Sequence, residues 1–335
     1  MVKVRSIVKS GSRILAVAGL LLFSLPSVAQ DIHFSQIDVN PILLNPAYSG
    51  FFNGTGRLGV TYRNQWASVG EAFETFAASA EVSLFRNPRH HNGLSLGVYA
   101  YSDRAGALHY GSTSATLAMS YFTSLNSQNS TILSGAVELG VGQSGFIGSN
   151  ADMYDPTEVL TDASTHYPLV GAGVALFIQP HDDLYFKIGL SGRNLNRPNI
   201  SYLGLADAYI FPKYNLYFRS EYRAWSNAAV LPILLVQRQN NNQEYVVGTD
   251  FKWYISESRE EQLSVLAGAR YRVMDAVYTE FAFEYNSFLL VLNYDVNLSA
   301  LTPASRTIGA FEMSLVYRIN TNKSVHRKSM PCPVI

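Results

Sequence analysis

The sequence predicts an all-β protein, a transmembrane outer-membrane β-barrel of about 14 antiparallel strands with an amino-terminal coil segment. Three observations lead to this fold class. Apolar and polar residues alternate along most of the chain, the alternating segments are long, and the connections between them vary in length in a regular way. A soluble β-sandwich shows the first feature but not the other two.

Alternation is clear in the last predicted strand, where the chain reads GAFEMSLVYRIN over residues 309–320. Side chains two residues apart lie on the same face of a strand, so this stretch has one apolar and one more polar face. The apolar face consists of Phe311, Met313, Leu315, Tyr317 and Ile319, and the opposite face includes Glu312, Ser314 and Arg318. We expect the apolar face to meet lipid and the polar face to meet the barrel interior.

The polar faces of the later strands carry full charges. By the same alternation, the charges predicted to face the lumen are Arg219, Glu221, Arg223, Asp250, Lys252, Arg270, Arg272, Glu280, Glu284, Glu312 and Arg318. These side chains could line an open channel, or they could pair across the lumen and plug it. The sequence does not distinguish these two arrangements.

Strand length and connection length support the barrel. The predicted strands are 57–66, 73–84, 93–101, 109–123, 130–143, 167–178, 183–193, 213–225, 228–238, 244–256, 262–273, 275–286, 287–296 and 307–320. Most have the roughly 9–11 residues or more that a tilted membrane strand needs. The two longest connections, 144–166 and 194–212, follow strands five and seven. Odd-numbered connections are the outward loops of an outer-membrane barrel, so their lengths fit this architecture.

The amino terminus predicts export. Residues 1–29 combine four basic residues, an apolar run over 14–25 and the small-residue sequence Ser27-Val28-Ala29, which is the pattern of a secretory signal peptide. After cleavage the chain retains 21 Lys+Arg against 25 Asp+Glu, so no basic surface for nucleic acid is expected. The predicted barrel occupies 56–320, and a periplasmic tail with the single cysteine, Cys332, follows over 321–335.

Motifs for catalysis or cofactor binding are weak. The sequence GTGRLG at 54–59 matches a dinucleotide pattern but continues into a strand, where that pattern requires a helix. His90 and His91 lie in a turn without a third ligand, and the acidic stretch over 152–166 could bind calcium but does not have EF-hand spacing. The seven histidines fall at termini, turns or strand ends. We therefore expect no enzyme activity, no cofactor and no metal.

One segment has no purpose in a generic barrel. Residues 30–50 read QDIHFSQIDVNPILLNPAYSG and contain Asn-Pro twice, at Asn40-Pro41 and Asn45-Pro46. Each Asn-Pro disfavours helix and favours a turn, so residues 30–55 are predicted to form a kinked, ordered coil at or inside the periplasmic mouth. Apolar side chains between the two turns could be buried against the barrel mouth or against a periplasmic protein.

This segment and the strand after it resemble the PorP/SprF family of type IX secretion system membrane proteins from the Bacteroidetes. The matching residues are Phe34, Ser35, Gln36, Asn40, Pro41, Asn45, Pro46, Ala47, Tyr48 and Gly50, followed by Tyr62, Arg63, Gln65 and Trp66. The stretch DMYDP at 152–156 and the carboxyl-terminal strand are also similar to the family, whereas the final residues CPVI depart from it.

The resemblance implies an outer-membrane barrel of a Gram-negative bacterium that works with the type IX machinery, its periplasmic ring and its translocon. It further implies a cognate secreted or surface protein with a C-terminal sorting domain, in some relatives a gliding adhesin. The family supplies no catalytic residues, and the matching phrase is then a candidate docking segment. A passive porin or small-molecule channel remains the alternative, because the interior faces are charged.

Overall fold

The computed structural model describes residues 34–66, 72–87, 92–106, 108–148, 161–202, 208–258, 261–299, 302–305 and 307–319. Within these ranges the chain forms fourteen antiparallel strands that close into a barrel. The predicted signal peptide and the predicted carboxyl-terminal tail lie outside the described residues. No helix in the described ranges is long and apolar enough to cross a membrane.

The strands agree closely with those predicted from alternation. They are β1 Gly56–Gln65, β2 Phe73–Asn87, β3 Asn92–Ala105, β4 Tyr110–Ser124, β5 Thr131–Phe146, β6 Ala163–His181, β7 Leu184–Arg193, β8 Lys213–Trp225, β9 Ala228–Gln239, β10 Asn242–Glu257, β11 Gln262–Arg272, β12 Ala276–Tyr285, β13 Phe288–Asn297 and β14 Ile308–Ile319. A short helix, Thr302–Ser305, lies between β13 and β14.

Each strand pairs with its neighbour in the sequence, and β1 pairs with β14 to close the barrel. The closing register runs from Gly56 opposite Ile319 to Gln65 opposite Ala310. Closure satisfies the backbone donors and acceptors that an open sheet edge would expose to lipid. The prediction of a fourteen-stranded antiparallel barrel is therefore confirmed.

The two ends of the barrel differ. We call the end where β1 begins and β14 ends the turn end, because the connections there are short, such as 182–183, 226–227 and 286–287. The opposite end is the loop end, and it contains the long connections 147–162 and 194–212. The lengths thus follow the odd and even order that the sequence predicted.

The two faces of β14 also follow the prediction. Phe311, Met313 and Leu315 are 43–45% exposed on the outer face. Glu312 and Ser314 are 0% and 1% exposed on the inner face. An exposed apolar face around a closed wall is the arrangement that a lipid environment requires.

Residues 34–55, which we call the lumen segment, lie inside the barrel rather than only at its mouth, as their contacts with β1, β7 and β14 show. The segment includes a single helical turn, Pro41–Leu44, and a 3₁₀ turn, Pro46–Tyr48. Asn40 and Asn45 are themselves non-helical, as expected before proline, but each proline begins a helical turn that the sequence argument did not predict. Proline fits the first position of a helical turn, because the missing N–H would have no partner there and φ is already suitable.

Candidate functional site

The candidate site is the lumen together with the segment that fills it. The segment runs from near the loop end, where Ser35 contacts β1 and β14, to the turn end, where Gly50 contacts β2. Its contacts with the wall fall into four groups: a charged anchor, a central ion pair, a turn at Asn45 and an apolar group.

The charged anchor holds the first residues of the lumen segment. The carboxylate of Glu312 accepts hydrogen bonds from the backbone N–H groups of Ser35 and Gln36, at 2.7 and 2.9 Å. The hydroxyl of Ser35 donates to Asp295 at 2.6 Å and accepts from Arg63 at 3.0 Å. Arg63 also pairs with Glu312, so the anchor joins β1, β13 and β14 to one short phrase of the segment.

The central ion pair involves Asp38. Its carboxylate pairs with Arg219, accepts a hydrogen bond from the hydroxyl of Tyr217 at 2.6 Å and lies 3.4 Å from the ammonium of Lys187. Arg219 in turn lies 3.4 Å from Asp250. Burial alone would raise the pKa of Asp38, but Arg219 and Lys187 outweigh it and hold this pKa well below its usual range.

The turn at Asn45 is fitted to small residues in the wall. Its side-chain oxygen accepts from the N–H of Ala47 at 2.9 Å, and its amide donates to the carbonyls of Val174 and Leu190 at 2.9 and 3.3 Å. A side chain at Gly173 would overlap the Asn45 carboxamide. The absence of a Cβ at this position therefore lets the segment approach the wall closely.

The apolar group lies towards the turn end. Tyr48 makes edge contacts with Phe177 and Tyr217, with ring centroids 5.9 and 6.1 Å apart, and Phe51 stacks on Phe177. Ile42 and Tyr48 are 0% and 1% exposed. These apolar side chains, for which the sequence predicted burial, are buried against the barrel interior.

The predicted interior charges form pairs. Arg270 lies 2.9 Å from Asp250 and 2.8 Å from Glu280, while Lys252 lies 2.9 Å from Glu284. The remaining predicted charges are placed as follows: Glu312 with Arg63, Arg318 with Glu284, Arg272 near Asp275 and Asp295, and Glu221 with Tyr254. Arg223 pairs with Glu257 and is partly exposed near the turn end. These contacts join the interior charges into a paired network.

The sequence analysis missed several interior charges on the earlier strands. Arg57 lies 2.6 Å from Glu81, and Arg193 lies 3.0 Å from Glu138. These residues follow the same alternation as the later ones, so the period of two could have found them. Asp38 gave no such signal, because it lies outside the strands.

The second half of the family phrase, on β1, is divided between the two faces of the wall. Arg63 is buried in the charged anchor, and Gln65 accepts a hydrogen bond from it at 3.1 Å. Tyr62 instead donates to Glu74 at 2.9 Å, and Trp66 packs on Phe73 with ring centroids 5.3 Å apart. The phrase therefore combines lumen contacts with support of the β1–β2 hairpin.

The space directly beside the lumen segment is small. Three cavities next to the lumen segment have volumes of about 40, 30 and 20 Å³. A water molecule needs roughly 10–15 Å³ of such volume, so each cavity holds at most a few waters. The described residues contain no group of three or more acidic, His or Cys side chains that could hold a metal ion. His90, His91 and most of the acidic stretch 152–166 lie outside the described residues.

The closed wall, the exposed apolar outer face and the paired polar interior define an outer-membrane β-barrel. A family model described as type IX secretion system membrane protein PorP/SprF matches residues 27–317. The chain belongs to this family, and the resemblance seen in the sequence is confirmed. A search of curated proteins finds no match.

Solved structures with limited similarity to this chain include a toluene transporter and a monoaromatic hydrocarbon channel. The Pseudomonas putida toluene transporter TodX has 7% sequence identity and a TM-score of 0.48, with 86% of this chain and 94% of that chain covered. The CymD monoaromatic hydrocarbon channel has 9% identity and a TM-score of 0.46, with 85% and 94% covered. A Pseudomonas aeruginosa FadL homologue has 10% identity and a TM-score of 0.42, with 82% and 93% covered.

Proposed function

We propose that this barrel assists the export or surface attachment of a cognate protein with a C-terminal sorting domain, in association with the periplasmic ring and translocon of the type IX system. Membership of the type IX family supports the association. In this proposal the chain reaches the outer membrane through a signal peptide over residues 1–29, which is cleaved before Gln30. A link to gliding motility would depend on the identity of the partner.

The filled lumen is the observation that favours this role over a passive porin. The lumen segment crosses the interior and leaves cavities of only about 20–40 Å³ beside it. A diffusion channel for small molecules needs a continuous aqueous path, whereas an accessory barrel can act through its surfaces. Ordering the lumen segment also costs on the order of 1–2 kcal/mol of backbone entropy per residue, which an open pore would have no reason to incur.

Two measurements test the proposal. In a planar bilayer the purified barrel should show no steady open conductance, and a large one would favour the porin. A strain lacking the gene should fail to release or display at least one sorting-domain protein, while other outer-membrane proteins stay at normal levels. An unchanged set of secreted and surface proteins in that strain would contradict the export role.

A further inference from the structure

Strand β6 extends beyond β7 at the loop end. On one side β6 pairs with β5 as far as Ala163 opposite Phe146. On the other side it pairs with β7 only from Ala172 onward. Residues 163–171 therefore have a strand on one side and an edge on the other.

The connection after β7 covers the lower part of this edge. The N–H of Leu195 donates to the carbonyl of Val170 at 2.9 Å, and the side chain of Asn196 accepts from the N–H of Val170 at 3.2 Å. Asn196 also donates to the carbonyl of Pro168 at 2.8 Å. Pro168 has no N–H of its own, so the backbone donors and acceptors on this side of β6 are hydrogen-bonded as far as this residue.

Above Pro168 the residues that the structure describes leave the edge open. Backbone groups of alternate residues point to the same side of a strand, so those of Ser164 and His166 point the same way as those of Val170. Both residues are exposed. Within the described part of the chain, no hydrogen bond reaches their N–H or C=O groups on this side. Such an edge is a template for pairing with another strand.

An apolar groove on the outer face begins at Ala172 of β6, further along the strand from His166, and Leu195 lines it. It has a volume of about 690 Å³ and small residues at its floor, among them Gly135, Ala172 and Gly192. Leu190 and Tyr214 are among the larger side chains beside them. This volume lies within the range of roughly 300–1,000 Å³ that is typical of ligand pockets, so the groove can receive bulky apolar side chains.

We propose that the free edge of β6 at Ser164 and His166 receives an extended segment of a partner polypeptide, with apolar side chains that enter the groove below. The partner must be a polypeptide, because only an extended backbone supplies donors and acceptors at the spacing of this edge, and an acyl chain supplies none. The inference rests on the proposed function for the kind of partner, which is the exported protein, and adds the surface on which it docks.

The variant pair His166→Pro and His166→Ala tests the edge. Proline removes the N–H that points to the free edge but leaves the hydrogen bonds between β6 and β5 in place. Pro168 shows that this edge accommodates proline. Alanine keeps the N–H and removes only the exposed side chain. Loss of one hydrogen bond weakens pairing about fivefold, so His166→Pro should lower export of the sorting-domain protein by about that factor. His166→Ala serves as the reference: relative to it, export by His166→Pro should be about fivefold lower, and both variants should reach normal abundance in the outer membrane.

The outcomes separate this inference from the proposed function. Normal export by His166→Pro in a system where gene deletion abolishes export would overturn the edge and leave the function intact. Normal export in the deletion strain would overturn both. If His166→Pro lowers barrel abundance, hydrogen exchange of the backbone amides in the purified wild-type barrel tests whether the edge is free. The amides of Ser164 and His166 should exchange faster than that of Thr165, and equal protection would overturn the inference.

Discussion

Asp38 shows how a single residue ties the lumen segment to the wall. Its carboxylate is surrounded by Lys187 of β7 and by Tyr217 and Arg219 of β8. Removing charges from water is costly, and that cost is offset only while the pair stays intact. A buried pair of this kind therefore contributes little when intact but is expensive to break.

Replacement of Asp38 should reveal this cost. Asp38→Asn leaves Arg219 and Lys187 without their shared carboxylate, and breaking a buried pair costs about 3–5 kcal/mol. When samples are heated to graded temperatures before electrophoresis, we expect Asp38→Asn to lose the fast-migrating folded form at a lower midpoint temperature than the wild type. Asp182→Asn, in an exposed turn, is the matched control and should leave the midpoint unchanged.

The low pKa of Asp38 sets the pH dependence of this contribution. A carboxyl with a depressed folded-state pKa contributes stability above its unfolded pKa, about 3.9, and loses it as the pH falls towards the folded pKa. The difference in midpoint between wild type and Asp38→Asn should thus persist at neutral pH and shrink only in strong acid. A difference that disappears already near pH 6 would contradict the assignment.

At the scale of elements, β14 allows a test of the prediction that the outer face of the wall meets lipid. Its outer face is apolar from Phe311 to Tyr317, and its inner face packs against the lumen segment. Ser314, on that inner face, hydrogen-bonds to Thr61 and Gln36, so a large residue there would also disturb the structure. The informative comparison is therefore between two positions on the outer face.

Leu315→Arg and Ile308→Arg make this comparison. Arginine on the lipid face costs roughly 2–4 kcal/mol near the bilayer midplane and about 0–1 kcal/mol near the interface. Leu315 lies well inside β14 and Ile308 at its first residue. We expect Leu315→Arg to reduce the heat-modifiable barrel in membranes far more than Ile308→Arg. Equal tolerance of the two changes would argue against the lipid assignment of this face.

The lumen segment is the second informative element. Asn45 bonds to β6 and β7, and Leu44 accepts hydrogen bonds from Ser191 and Asn215. Replacing Asn45-Pro46 with Ala-Ala should loosen these contacts, so we expect barrel abundance and export to fall together. Lost export with normal abundance would instead favour docking of this segment to a periplasmic protein. No effect on either measure would show that the segment is dispensable.

At the scale of the whole molecule, closure of the wall and filling of the lumen act together. The wall closes between β1 and β14, and the same region of the wall binds the charged anchor through Arg63 and Glu312. The lumen segment thus joins strands from opposite parts of the chain. Its removal should leave a polar interior that water can enter.

Deletion of residues 34–52 tests the closed state. We expect the variant to show a steady open conductance in planar bilayers where the full-length barrel is closed, because the paired wall charges would then border an aqueous space. Heat-modifiable migration confirms that the variant has assembled. An assembled variant without conductance would mean that other parts of the chain close the lumen.

The sequence by itself determined the fold class, the strand number and the two faces of the wall, because a period of two assigns each side chain to a face without any knowledge of its neighbours. It also gave the family through the phrase around Asn45-Pro46. Only the tertiary structure decided that the interior charges pair, that Asp38 joins them, and that the lumen segment lies within the barrel. These features depend on contacts between residues up to 278 positions apart, such as Gln36 with Ser314. Local periodicity carries no information about which distant side chains meet, so closure of the barrel was needed to bring them together.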